Sequence, residues 1–221
     1  DEDGMLHVSA MVEGKQFDDQ VRAVAKGLVA RGIAAGAPVA ILSPTSYEWT
    51  VLDFALWSIG SFAVPIYDSS SAEQIEWILA DSGAVAIAVD SSASADRVLQ
   101  GANPPPMWRI DEDLLAALAA EGAGVEDAVL EQRLSDASAQ DIATIVYTSG
   151  TTGRPKGCVL THENLMFVVR TLVATTGPVV QQRICISRTW SLKRQPVSLI
   201  SRRIDGAPAL KVKRVWTHDC T

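Results

Sequence analysis

A chain of 221 residues with 48% hydrophobic content is long enough to bury one sizeable core. Its net charge of −7 argues against a nucleic-acid binder. The three cysteines, Cys158, Cys185 and Cys220, stand far apart with no CxxC pair, which argues against a disulfide framework or a zinc site and suits a reducing cytosol.

Residues 1–16 form a mixed lead-in, and the start at Asp1 rather than Met reads as a trimmed or incomplete N-terminus. The first helix is predicted over Asp18 to Arg31, where Val21, Val24, Ala25, Leu28 and Val29 recur at i, i+3, i+4, i+7 and i+8. Gly32 and Gly36 end it, and Pro38 to Leu42 is a short strand. Ser46 to Ile59 is a helix apolar nearly all round, so it is expected in the core. Phe62 to Ile66 is the next strand. Ser71-Ala72-Glu73-Gln74 fits a capping box that opens a helix carrying Ile75, Ile78 and Leu79. Asp81-Ser82-Gly83 stops it, and Ala84 to Val89 is an apolar strand of the kind covered on both faces. Ser91 to Asp96 reads as a polar turn and Asn103 to Pro106 as an extended break. Asp111-Glu112-Asp113 places acids before a helix with Leu114, Leu115 and Leu118, better read as dipole and solvation than as a metal site. Residues 122–140 read as a soft, partly helical connection. The alternation points to an α/β fold with a largely parallel sheet and flanking helices.

The most informative stretch runs from Tyr147 to Gly157, after a predicted strand Ile142 to Tyr147 and before Thr161, a good N-cap for a helix from Glu163 to Val173. On this reading it is a loop between a strand and a helix. Glycines let backbone N–H groups approach an anion, hydroxyls donate to phosphate oxygens or join a magnesium shell, and a lysine adds mobile positive charge. The ligand these residues favour is a polyphosphate. The candidate binding residues are Thr148, Ser149, Gly150, Thr151, Thr152, Gly153 and Lys156. Tyr147 reads as a packed strand residue, Arg154 as exposed and neutral, Cys158 as a small buried hydrophobe, and His162 as shaping the helix start rather than acting as a base. The stretch is not a Walker A loop, because Pro155 and Gly157 stand where that pattern needs Gly and Ser or Thr.

Tyr147 to Gly157, with Leu160-Thr161-His162-Glu163-Asn164-Leu165 after it, resembles the phosphate-binding signature of the adenylate-forming (AMP-binding) enzymes. The resemblance extends over about Phe17 to Thr176. Pro65 to Gln74, Arg22 to Leu28 and Tyr47 to Thr50 are more similar to the long-chain fatty acid–CoA ligases than to the amino-acid-activating branch. The resemblance implies the N-terminal subdomain of that fold. It also implies a two-step reaction in which a fatty acid carboxylate attacks the α-phosphate of ATP, and coenzyme A then displaces AMP from the acyl-AMP. ATP, Mg²⁺ and coenzyme A are the implied cofactors, and the partners are small molecules rather than nucleic acid. The expected location is cytoplasmic, with peripheral membrane contact left open and the oligomeric state not specified. Another carboxylate-activating adenylate-former, such as an acyl-AMP ligase, and a non-catalytic nucleotide-binding or packing fragment stay open as alternatives.

The expected organisation is a lead-in over 1–16, a partial adenylation domain over 17–177, and a basic tail over 178–221. Residues 1–177 hold 10 basic and 24 acidic side chains, whereas 178–221 hold 9 basic and 2 acidic. Charge and resemblance change at one place, which motivates the hypothesis of a reading-frame change near 178. The family's downstream nucleotide motifs and its C-terminal catalytic lysine find no counterpart here, so no catalytic or metal-binding residue is assigned. The polypeptide is expected to have little ligase activity alone, and to expose sheet edges that favour self-association.

Overall fold

The structure is a computed structural model that describes residues 12–148, 154–176 and 211–212. In chain order the elements are β1 (Val12–Glu13), α1 (Gly14–Ala30), β2 (Pro38–Leu42), α2 (Tyr47–Ser58), β3 (Phe62–Ile66), α3 (Ala72–Ser82) and β4 (Ala86–Val89). There follow α4 (Ser92–Val98), β5 (Met107–Arg109), α5 (Leu114–Glu121), α6 (Asp127–Asp136), β6 (Ile142–Thr148), β7 (Lys156–Thr161), α7 (His162–Thr176) and β8 (Lys211–Val212). Single 3-10 turns over Ile110–Glu112 and Gly122–Gly124 flank α5. The basic tail proposed from 178 onward lies outside the described residues, apart from β8, which pairs antiparallel with β1.

The main sheet has six strands in the order β5-β4-β2-β3-β6-β7, and every neighbouring pair is parallel except β6 with β7. Side chains alternate between the two faces of a strand, so one apolar run fills two cores. Val39 and Ile41 of β2, Ala63 of β3, and Ala86 and Ala88 of β4 join a core with α1, α2, α5 and α6. Ala40 and Leu42, Val64 and Ile66, and Ile87 and Val89 join a second core with α3 and α4. The chain leaves β2 for β3 on one side and β3 for β4 on the other. Ligands in such sheets bind at the carboxyl ends of the strands, and the loop after β6 lies at that edge.

Most expected elements are present. The α3 capping box forms as anticipated: Gln74 N donates to Ser71 Oγ over 3.3 Å, and Ser71 N donates to Gln74 Oε1 over 3.0 Å. Gly83 ends the helix in the left-handed region at φ 66°. Helix α1 starts at Gly14, four residues before the expected Asp18. Residues 91–96 correct the turn reading, because Ser91 caps α4 and Ala95 and Val98 pack into the second core. Strand β5 was hidden because three residues give no periodicity.

Asp53, on α2, is only 7% exposed. Burial pushes its carboxyl up to about 8, because leaving water penalises the charged form. The folded state therefore holds this proton more tightly than the unfolded chain. The residue's contribution to stability is most favourable at low pH and falls as pH rises from the ordinary carboxylate range to about 8. Asp53→Asn is expected to remove that slope. Urea unfolding should show similar stability of the two proteins at about pH 3.5 and an advantage of ~1 kcal/mol or more for the variant at pH 8.5. An unchanged pH slope would mean that the carboxyl is hydrated.

Candidate functional site

The site is built on the one antiparallel pair of the main sheet. β6 and β7 align Tyr147 with Gly157 and Thr148 with Lys156. The Tyr147–Gly157 stretch is thus a hairpin between two antiparallel strands, which corrects the strand-to-helix reading. Lys156 to Thr161 is too short and mixed to announce a strand, and it is pairing with β6 that makes it one. A hairpin also differs from a Walker A loop, which leads into a helix. Thr148 and Lys156 are both exposed and stand opposite each other where the loop closes. Ser149, Gly150, Thr151, Thr152 and Gly153 lie outside the described residues.

The stems of this loop are held by α3. Tyr147 is buried at 4% exposure, and its hydroxyl donates to Asp81 Oδ2 over 2.6 Å. Burial first, and then Asp81, push the phenol well above its usual range. Trp77 Nε1 donates to the Pro155 carbonyl over 3.1 Å. The Arg154 guanidinium lies 4.4 Å from the centroid of the same indole. Arg154 is exposed as expected, but it is not neutral to the structure. Sequence reasoning missed Trp77 and Asp81. Their signal is their i, i+4 spacing on α3, off the Ile75, Ile78 and Leu79 stripe that faces the core.

Beyond β7, Thr161 caps α7 as its residue type suggested. Thr161 Oγ1 accepts from Asn164 N over 3.3 Å, and Asn164 Oδ1 accepts from Thr161 N over 2.9 Å. His162 is 5% exposed, meets Trp57 edge-on at 5.6 Å, and donates its backbone N–H to the Asp141 carbonyl. Burial lowers its imidazole to about 4, so it is neutral at physiological pH. These features fit the packing role expected of it. Cys158 corrects the expectation of burial: it is exposed on β7, the last strand of the sheet. Val159 on the same strand and Phe167 and Val168 on α7 are exposed as well. No helix among the described residues is long and apolar enough to cross a membrane.

A hydroxyl and an ammonium facing each other across a glycine- and threonine-rich loop make a donor set suited to phosphate oxygens.

The wider comparisons agree with this fold. Residues 11–189 match the family described as AMP-binding enzyme. The chain belongs to the AMP-binding enzyme family, the adenylate-forming enzymes. It is 43% identical over 159 residues to the long-chain-fatty-acid–CoA ligase FadD15 of Mycobacterium bovis, an alignment covering 69% of this chain and 26% of that protein. Among solved structures, the inhibitor-bound N-terminal domain of FACL13 from Mycobacterium tuberculosis superposes with a TM-score of 0.58 at 34% identity. That match covers 67% of this chain and 37% of the other. VinN in complex with 3-methylaspartate shares the fold, with a TM-score of 0.64 at 22% identity, covering 74% of this chain and 44% of that one. The chain thus spans about a quarter of the length of these curated long-chain-fatty-acid–CoA ligases.

Proposed function

We propose that this chain supplies the triphosphate-gripping part of an AMP-forming acyl-CoA ligase that acts on long-chain fatty acids. The observation that carries the reading is the register that sets Thr148 against Lys156 at the mouth of the 149–155 loop. Identity to named long-chain fatty acid–CoA ligases supports the substrate class. Lys156 binds phosphate oxygens through a charge-assisted contact, Thr148 donates its hydroxyl beside it, and the backbone N–H groups of Ser149 to Gly153 complete the cradle. When the carboxylate attacks the α-phosphate, negative charge builds on the departing pyrophosphate. Donors already facing that position stabilise the transition state more than the ground state. Magnesium, when bound, neutralises part of the phosphate charge. His162, packed against Trp57, shapes the start of α7.

The 221-residue polypeptide itself is expected to bind polyphosphate with little turnover. Fatty-acid-dependent ATP–pyrophosphate exchange should stay near background, while pyrophosphate should bind saturably. Exchange well above background would show that these residues suffice for adenylation. Absence of any pyrophosphate binding would refute the assigned role of the loop.

A further inference from the structure

Trp77 and Asp81 stand one helical turn apart on α3, and each grips a different arm of the hairpin. Asp81 accepts from Tyr147 on the outgoing arm, at 2.6 Å. Trp77 donates to Pro155 at 3.1 Å and lies beneath Arg154 at 4.4 Å, both on the returning arm. Gly157 lets the two arms close together at the tyrosine. A Cβ there would lie 2.9 Å from Ile145 Cγ2 and 3.1 Å from Tyr147 Cζ. The helix is a firm anchor, since it is capped at both ends and buries Ile75, Ile78 and Leu79.

We propose that Trp77 and Asp81 are positioning residues for the phosphate-binding loop, clamping both of its stems to α3 so that Thr148 and Lys156 stay opposed. The inference rests on the reading of the loop as the triphosphate site. Each phosphate contact must offset the entropy of ordering the groups that make it. Fixing both stems beforehand removes part of that cost and so tightens binding. Alternation along the strands sets Thr148 and Lys156 on the face opposite Tyr147 and Gly157, so the clamp leaves the ligand side open.

The test uses the 221-residue protein and three variants. Trp77→Ala removes both the ring and the donor. Trp77→Phe keeps a ring beneath Arg154 and removes the Nε1 donor. Tyr147→Phe removes the bond to Asp81. Trypsin cuts after Lys156, while Pro155 protects the bond after Arg154, so cleavage at Lys156 reports locally on the returning stem. Cleavage after Arg31, which follows α1 beside the other core, serves as the internal standard. With Trp77→Ala, Lys156 cleavage relative to Arg31 cleavage is expected to rise about tenfold, the scale of losing a contact of this kind. Pyrophosphate affinity should fall about fivefold, with Trp77→Phe and Tyr147→Phe intermediate in both. A purely structural role would speed both cleavages in proportion, and an unchanged ratio in all three variants overturns the proposal. Should Trp77→Ala fail to fold, Arg154→Ala removes the stacked cation from an exposed position and should still raise the ratio. Wild-type protein that binds no pyrophosphate would sink the phosphate reading, whereas the cleavage ratio would still decide the clamp.

Discussion

Replacing Lys156 by alanine is expected to weaken pyrophosphate binding about 10- to 100-fold with no measurable loss of fold. A hydrogen bond to a charged group is worth about 1.5–3 kcal/mol, and each 1.4 kcal/mol is about tenfold in affinity. Lys156 is exposed and opens an edge strand, so its removal leaves no cavity and no buried partner unsatisfied. Lys156→Arg should retain part of the affinity, since it keeps the charge but changes the reach. Titration calorimetry at two salt concentrations checks the result, because the wild-type advantage should shrink at high salt. Equal affinity of wild type and Lys156→Ala would remove the lysine from the site.

The largest effect on stability is expected at Gly27, far from the site. Helix α1 meets the end of α5 there, backbone against backbone. A Cβ on Gly27 would lie 2.1 Å from the Leu118 carbonyl oxygen and 2.5 Å from its carbon. The approach is reciprocal, since a Cβ on Gly122 would lie 2.4 Å from the backbone nitrogen of Gly27. Real Cβ atoms do not come this close, and the obstacle is main chain rather than a side chain that can turn aside. Gly27→Ala must therefore push α5 off α1, exposing Leu118, Leu115 and Val24 in the shared core. A loss of ~3 kcal/mol or more is expected, a large share of a typical domain's stability. Gly14→Ala is the control, since nothing lies within 4 Å of its would-be Cβ and the change should be close to neutral. Denaturant midpoints of the two variants would decide it, and a small loss for Gly27→Ala would mean that the helices sit further apart.

The sequence was most legible where a local rule has one structural outcome. The Val21, Val24, Ala25, Leu28 stripe became the buried face of α1, and the Ser71–Gln74 pattern became a complete capping box. The near-continuous apolar character of Ala84 to Val89 became a strand covered on both faces. What stayed hidden depends on contacts remote in the chain. β7 is a strand because β6 lies beside it, and nothing within Lys156 to Thr161 announces that pairing. Gly27 looks like an ordinary helix glycine until Leu118, 91 positions later, is brought against it. In the site, residue types marked the loop itself, yet the i, i+4 spacing of Trp77 and Asp81 does not name their partners, because Pro155 and Tyr147 are 78 and 66 residues away. Cys158 was misjudged for a related reason: a small apolar residue beside a core strand is buried only if another strand covers it.

The most direct test of the account is a titration of pyrophosphate with magnesium into the isotopically labelled 221-residue protein, followed by amide and indole NMR shifts. The expected result is saturable shifts confined to the amides of 148–157 and the Trp77 indole N–H. The contrary result is no saturable change there, or changes centred elsewhere, such as the open cleft beside Arg133 and Gln140 at the other end of the sheet.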